Sequence, residues 1–367
     1  MTTQHRAPHD HAARRDRARA GLADRAATHL LVTDPVNVRY LTGFTGSNGQ
    51  LLLAADAADD RLITDHRYDE RAASSCPDLE RILDRDPLGA TLSAAPSASL
   101  LVEAEHLSWQ QGRDLTARAK DVGVRVGDAK GVVEALRLCK DDAELARLAA
   151  ACRITQETLA WLFDDVVVHD RSERELAITL ERAFIDAGAD GVAFPSIVAS
   201  GPNAAIPHHE PTDRRLQPGD LLTIDCGAEV DGYHADHTRT VAIGHLDDEL
   251  TAVHEVVRQA QAAGIAAVAD GVTGGQVDAA ARQVITDAGY GAAFLHGTGH
   301  GVGLRIHEGP SVGRGSAATL RDGMALTVEP GIYLPGRGGV RIEDTFVVTS
   351  PAPPRALTDT PRELQVL

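Results

Sequence analysis

Four carboxylates stand where β-structure would not choose them. Asp225 and Asp236 lie inside LLTIDCGAEVDGYHADHTRTV (221–241), and Glu329 and Glu343 inside MALTVEPGIYLPGRGGVRIEDTFVV (324–348). Strands disfavour acids, so each placement asks for a reason. Asp231-Gly232 between β-rich runs predicts a two-residue hairpin turn, because glycine accepts the positive φ such a turn needs. That loop sets Val230 against Tyr233 and Asp225 against Thr238, and alternation puts Asp236 on the face of both. The two aspartates become diagonal neighbours about 7–8 Å apart at the backbone. Like charges so placed raise each other's pKa unless a cation lies between them. Two exposed acids on a solvent-facing hairpin would be the plainer alternative. Leu222, Ile224, Cys226 and Val241 around them argue for a buried sheet, and a metal-binding pair is the stronger reading.

The second hairpin repeats the pattern. A three-residue loop Pro335-Gly336-Arg337 sets Leu334 against Gly338 and Glu329 directly opposite Glu343, with Pro330-Gly331 expected to bulge the strand. Singly, either glutamate could be a solvated edge charge; the two pairs together favour a site. HGTGHGVGLRIHEGP (296–310) adds His296, His300 and His307, three histidines within twelve residues. Its glycines permit close backbone approach, but no register gives GxGxxG, which removes a phosphate loop from consideration. Four carboxylates and one imidazole carry about −4, which two divalent cations would neutralise. Oxygen-rich ligation without thiolate favours manganese, magnesium or cobalt over structural zinc. Two metals about 3.5–4 Å apart activate water and polarise a carbonyl or phosphoryl group. The residues alone therefore lead to a two-metal hydrolase.

The elements that must position these groups alternate in type. Strands are expected at 28–34, 49–56, 60–68, 99–108 and 124–129, with helices at 8–27, 68–76 and 109–120 and a short helix running into a Gly-rich loop over 37–49, an α/β layer arrangement. The Pro/Ala/Ser-rich 87–98 is expected to be a surface loop. From Val132 to Phe163 the apolar spacing predicts one sustained helix, and the domain boundary is placed near residue 130. Helices follow at 172–188, opened by a Ser172/Glu175 capping box, and near 247–269 and 276–288. Helices and an acid-bearing hairpin occur twice, which suggests two similar halves.

At 367 residues, with 43% hydrophobic and 24% charged residues, the chain suits two soluble domains. A net charge of −17 disfavours nucleic-acid and anionic-membrane partners. Arg6, Arg14, Arg15, Arg17 and Arg19, interleaved with Asp10 and Asp16, are expected to form a solvated helix face. Cys76, Cys139, Cys152 and Cys226 form no CxxC pair, as expected for reduced thiols in a cytoplasmic protein. No secretory h-region is visible, and no apolar run approaches the roughly 18 residues of a membrane span.

The chain resembles the pita-bread metallopeptidases, in the Xaa-Pro aminopeptidase and prolidase branch, over nearly its whole length. NVRYLTGFTGSNG and LITDHRY are similar to the creatinase-type N-terminal domain, although His66 stands where glycine is usual. ASGPNAAIPHHEPT, TIDCGAEVDGYHADHTRTV, HGTGHGVGLRIHEGP, TVEPGIY and GGVRIED follow in the family's order. The resemblance implies a creatinase-like α/β domain over 1–130 and a pita-bread catalytic domain of pseudo-two-fold halves over 131–367. It implies five metal ligands, Asp225, Asp236, His300, Glu329 and Glu343, holding two divalent ions, manganese first and cobalt or zinc as alternatives. Glu329 would also shuttle a proton, His208 and His307 would steady the substrate carbonyl and tetrahedral intermediate, and His296 and Arg341 would line the substrate site. His209 is unassigned, and Arg305 departs from the acid common at its position.

The implied activity is that of an Xaa-Pro aminopeptidase acting on peptides with proline at the second position, with a dipeptide-restricted prolidase as the alternative. A creatine-amidinohydrolase-like enzyme, or a non-catalytic binding protein on the same scaffold, would lack ligands that are intact here. A methionine aminopeptidase would usually lack the first domain. A homodimer is expected, with Phe44 of TGFTGSNG exposed beside Asn48.

Overall fold

The computed structural model describes residues 9–167 and 170–367. The chain divides into two compact units, Ala7–Arg137 and Leu138–Leu367.

The first unit is built on a six-stranded mixed sheet, in the order Glu80–Leu83, Arg61–Thr64, Gly49–Ala54, His29–Val32, Ser99–Val102, Arg125–Asp128. Its central strands are runs of Leu, Ile and Val, and one core gathers Leu31, Leu52, Ile63, Leu100, Val102 and Leu115. Three expectations are corrected here. The stretch 87–98 contains the helix Pro87–Ala94, with proline in its first turn and the Asp86 side chain accepting from Gly89 N–H. Its Leu88 and Leu92 join the core, so apolar spacing and capping outweigh the loop-like composition.

In the helix His11–Ala23 Arg17 is exposed as expected, but Arg14 and Arg15 do not belong to a solvated face. Arg14 is 1% and Arg15 5% exposed. Arg14 stacks 4.2 Å over the Tyr40 ring and donates to Tyr40 O, while Arg15 donates to Leu41 O and pairs with Asp60 and Asp78. Arg6 lies outside the described residues. Phe44, expected exposed, is 2% exposed and packs edge-on against Tyr68 at 5.9 Å, inside its own unit.

The expected single helix over 132–163 is two helices, Val132–Leu138, all but its last residue in the first unit, and Asp142–Trp161 in the second. Between them Cys139 bridges Met324, and Asp141 starts the second helix through a reciprocal capping box with Glu144. The break is also pinned by Lys140, whose Nζ pairs at 2.9 Å with Glu308, both side chains nearly inaccessible. The capping box at Ser172 opens the helix Glu173–Asp186 as expected. The long helices Asp248–Ala267 and Gly274–Asp287 pack on each other and over a core of Leu221, Val253, Val257, Ile285, Ile332 and Val340.

Both acid-bearing hairpins take the register derived from their turns. Asp231 and Gly232 have φ of 50° and 75°, Val230 faces Tyr233, and Asp225 faces Thr238. Leu334 faces Gly338, Gly331 faces Arg341, and Val328 faces Asp344. The pairing is in step on both sides of Pro330, so the expected bulge adds no residue; the proline instead interrupts the ladder between two separate sheets. The hairpins meet where Glu343 N–H donates to Thr238 O, at 3.1 Å. Among the described residues no helix is long and apolar enough to cross a membrane. All four cysteines are free, and Cys76, Cys152 and Cys226 are buried.

Candidate metal centre

Strand alternation delivers the site. On the second hairpin Glu329, Gly331, Tyr333, Arg341 and Glu343 share one face; on the first, Asp225, Asp236 and Thr238 share another. The contact between Thr238 and Glu343 turns these two faces toward one cavity of about 420 Å³. Its lining includes every residue singled out from the sequence: Asp225, Asp236, His300, Glu329, Glu343, His208, His296, His307 and Arg341. Phe194, Pro195, Ile197, Pro207 and Ile306 supply apolar wall.

Three side chains converge most closely. Ligand atoms of Asp236, His300 and Glu343 lie within 4.8 Å of one another. His300 Nε2 is 3.4 Å from Asp236 and 3.3 Å from Glu329. Its Nδ1–H donates to Gly301 O at 3.1 Å, which fixes the tautomer and leaves the Nε2 lone pair turned to the carboxylates. The strand Gly299–Gly301 reaches this position by running against Thr327; a Cβ at Gly299 would stand 2.0 Å from Thr327 O. Thr327 Oγ1 then accepts from His300 N–H and donates to Glu329.

The electrostatics ask for a cation. Burial, then the charges of Glu343, Asp225 and Glu329, pushes the Asp236 pKa well above the usual carboxylate value. Burial and the charges of Glu329 and Asp225 do the same to Glu343. For Glu329 burial works upward, but His300 outweighs it and holds the group at about 2. Asp225 Oδ1 and Glu343 Oε1 are buried without a hydrogen-bond partner. The companion oxygens are held: Arg341 donates to Asp225 Oδ2 at 2.7 Å and Thr238 to Glu343 Oε2 at 2.7 Å. Each of these two carboxylates thus has one oxygen anchored by protein and one left for an ion.

Several residues that matter here were passed over in the sequence. Tyr333 bridges His296 Nε2 and Arg341, each at 2.8 Å, and its burial raises the phenol to about 12, so it stays a neutral donor. The register that set Glu329 against Glu343 would, by alternation, also have placed Tyr333 on the same face. Glu173 gave no such signal, since it looks like a first-turn acid of a capped helix. It is instead fully buried and accepts from Ser200, Asn203, His209 and Thr212. Burial works against its charge, but those donors win and hold it at about 2. His209 therefore anchors the loop whose neighbour, His208, faces the cavity. His307 stacks edge-on against His300 at 4.3 Å.

Comparison with known proteins now bears on this geometry. Residues 146–350 match the model of metallopeptidase family M24, and residues 14–139 match the creatinase/prolidase N-terminal domain. The chain belongs to metallopeptidase family M24. It is 38% identical over 343 residues to the uncharacterized peptidase YqhT of Bacillus subtilis, covering 92% of this chain and 95% of that one. The structure of an Xaa-Pro dipeptidase from Bacillus anthracis superposes with a TM-score of 0.91 at 34% identity, covering 98% and 100% of the two chains. That of an X-Pro aminopeptidase from Thermotoga maritima gives 0.88 at 32% identity, covering 96% and 99%. This M24 chain thus has the expected architecture, a creatinase-type N-terminal domain and a pita-bread domain, and is a hydrolase of peptide bonds. Membership implies divalent metal ions, and the open oxygens of Asp225 and Glu343 fit them.

Proposed function

We propose that this M24 chain is an Xaa-Pro aminopeptidase, releasing the N-terminal residue from peptides with proline second. The observation that carries this is the convergence of Asp225, Asp236, His300, Glu329 and Glu343 in one cavity whose walls carry His208, His296 and His307. The five would hold two divalent ions, manganese first, with cobalt or zinc as alternatives. When bound, the metals supply an acidified water and a Lewis acid for the carbonyl.

The chain's own residues do the rest. Arg341 and Thr238 hold Asp225 and Glu343 in orientation, so the ligand set is fixed before substrate arrives. His307 and His208 offer N–H groups where the scissile carbonyl becomes an oxyanion. Glu329 carries the proton to the leaving imide nitrogen. An Xaa-Pro bond has no N–H to be grasped, and the apolar wall of Phe194, Pro207 and Ile306 suits a pyrrolidine ring that makes no hydrogen bond.

Prolidase activity, confined to dipeptides, is the second reading, favoured by the name of the Bacillus anthracis relative. The chain is further proposed to work as a homodimer, and its buried free thiols suit a cytoplasmic setting. Titrating chelated protein with Mn²⁺ while following cleavage of Xaa-Pro-Xaa peptides and metal content tests the proposal. Two ions per chain and release of the first residue only before proline are expected. Equal cleavage before non-proline residues, or full activity with chelator present, would overturn it.

A further inference from the structure

Glu210 is the lining carboxylate outside the metal cluster, and its surroundings differ from those of the acids below it. It is exposed, and no hydrogen bond or ion pair among the described residues occupies its carboxylate. The metal-binding acids are buried or half-buried at the floor, whereas His208, Glu210, Pro195 and His307 are exposed and mark the mouth. The scissile carbonyl has to reach the ligand set at the floor, so the peptide beyond the proline runs outward past that mouth.

A peptide ending at proline would carry its carboxylate into this zone, and the lining offers no fixed cation to meet it. Arg341, the lining guanidinium, spends all but one of its N–H donors on Asp225, Tyr333, Pro207 O and Thr238, and is 3% exposed. His209 is committed to Glu173, and His296 to Tyr333 and Gly297 O. His208 and His307 are the groups assigned above to the scissile carbonyl. What the mouth does offer is the uncompensated negative charge of Glu210.

We propose that Glu210 sets the length and charge preference of this site, disfavouring a carboxylate on the proline and favouring peptides that continue beyond it. This deepens the proposed activity and rests on it. A carboxylate passing within about 6 Å of Glu210 at a half-solvated mouth loses roughly three- to tenfold in kcat/KM against a neutral group at the same place. The penalty shrinks as salt screens it.

The test uses Mn²⁺-loaded full-length protein and a matched pair of substrates, Ala-Pro and Ala-Pro-amide, which differ only in that terminal charge. The wild type is expected to prefer the amide. In Glu210→Gln the amide-to-dipeptide ratio of kcat/KM should fall three- to tenfold, and in the wild type it should fall with added salt. A ratio unmoved by E210Q, while both substrates are cleaved, overturns the inference and leaves the Xaa-Pro activity standing. A wild-type preference for the dipeptide that Arg305→Gln abolishes would overturn it too, by assigning the carboxylate to a cation on the neighbouring loop. If neither substrate is cleaved, the proposed activity fails and takes this inference with it.

Discussion

Glu173→Ala should cost this protein more stability than any single hydrogen bond would, through a residue that touches no substrate. The carboxylate is fully buried and held at about 2 by Thr212, Asn203, His209 and Ser200 against the effect of burial. Against an ordinary glutamate value near 4.3, that depression corresponds to roughly 3 kcal/mol at neutral pH. Removing the side chain also strands buried donors, at about 1–3 kcal/mol for each that finds no other partner.

Because the folded pKa is depressed, the contribution is complete above the unfolded value and is lost as pH falls toward 2. It amounts to about 2.5 kcal/mol at pH 4 and about 1.5 at pH 3. Calorimetry of metal-free protein at pH 7 should show the transition of the Leu138–Leu367 unit lowered by at least about 6 °C, taking about 2 °C per kcal/mol for a unit of this size. The gap between wild type and variant should narrow at pH 4. Activity should fall with bound metal retained, since the loop bearing His208 loses its anchor. A variant melting within about 1 °C of wild type, or a gap that widens in acid, would refute the reasoning.

Metal affinity should weaken as pH falls, because Asp236 and Glu343 have raised pKa values and must shed protons to bind an ion; calorimetric titration at pH 8 and pH 6 checks this, and equal affinities would contradict it. Asp236→Ala or Glu343→Ala should abolish turnover and deplete bound metal, read by elemental analysis. His307→Ala should keep its metal and lose roughly 10²–10³ in kcat, whereas His300→Ala should lose metal; the opposite pattern would reverse their roles. Tyr333→Phe removes the hydroxyl linking His296 and Arg341, and should lower kcat/KM about tenfold with metal content unchanged. The proposed homodimer draws no support from Phe44, which is buried in its own unit; sedimentation at micromolar concentration should show twice the chain mass, and a monomer would refute it.

By itself, the sequence determined whatever depends on period and turn chemistry. Asp-Gly and Pro-Gly-Arg fixed two registers, and a period of two then carried Asp225, Asp236, Glu329 and Glu343 onto defined faces with no knowledge of the fold. Capping at Ser172 and the long helices after Asp247 were legible for the same local reason. Where a tertiary contact competed with a local preference, the sequence misled. Arg14 and Arg15 look like surface charges until Tyr40 and Asp60 are seen beneath them. The helix over 132–163 breaks because Lys140 and Cys139 find partners at Glu308 and Met324, remote in the chain. The loop-like 87–98 becomes helical because Leu88 and Leu92 have a core to enter.

Only tertiary structure decided that the two acid-bearing faces meet, through contacts such as those of Thr238 with Glu343 and of Arg341 with Asp225. It alone revealed the task of Glu173, whose hydrogen-bond partners lie some thirty residues on and follow no period. Local periodicity encodes which way a side chain points from its own strand. What it points at depends on long-range packing, which no short stretch of sequence contains.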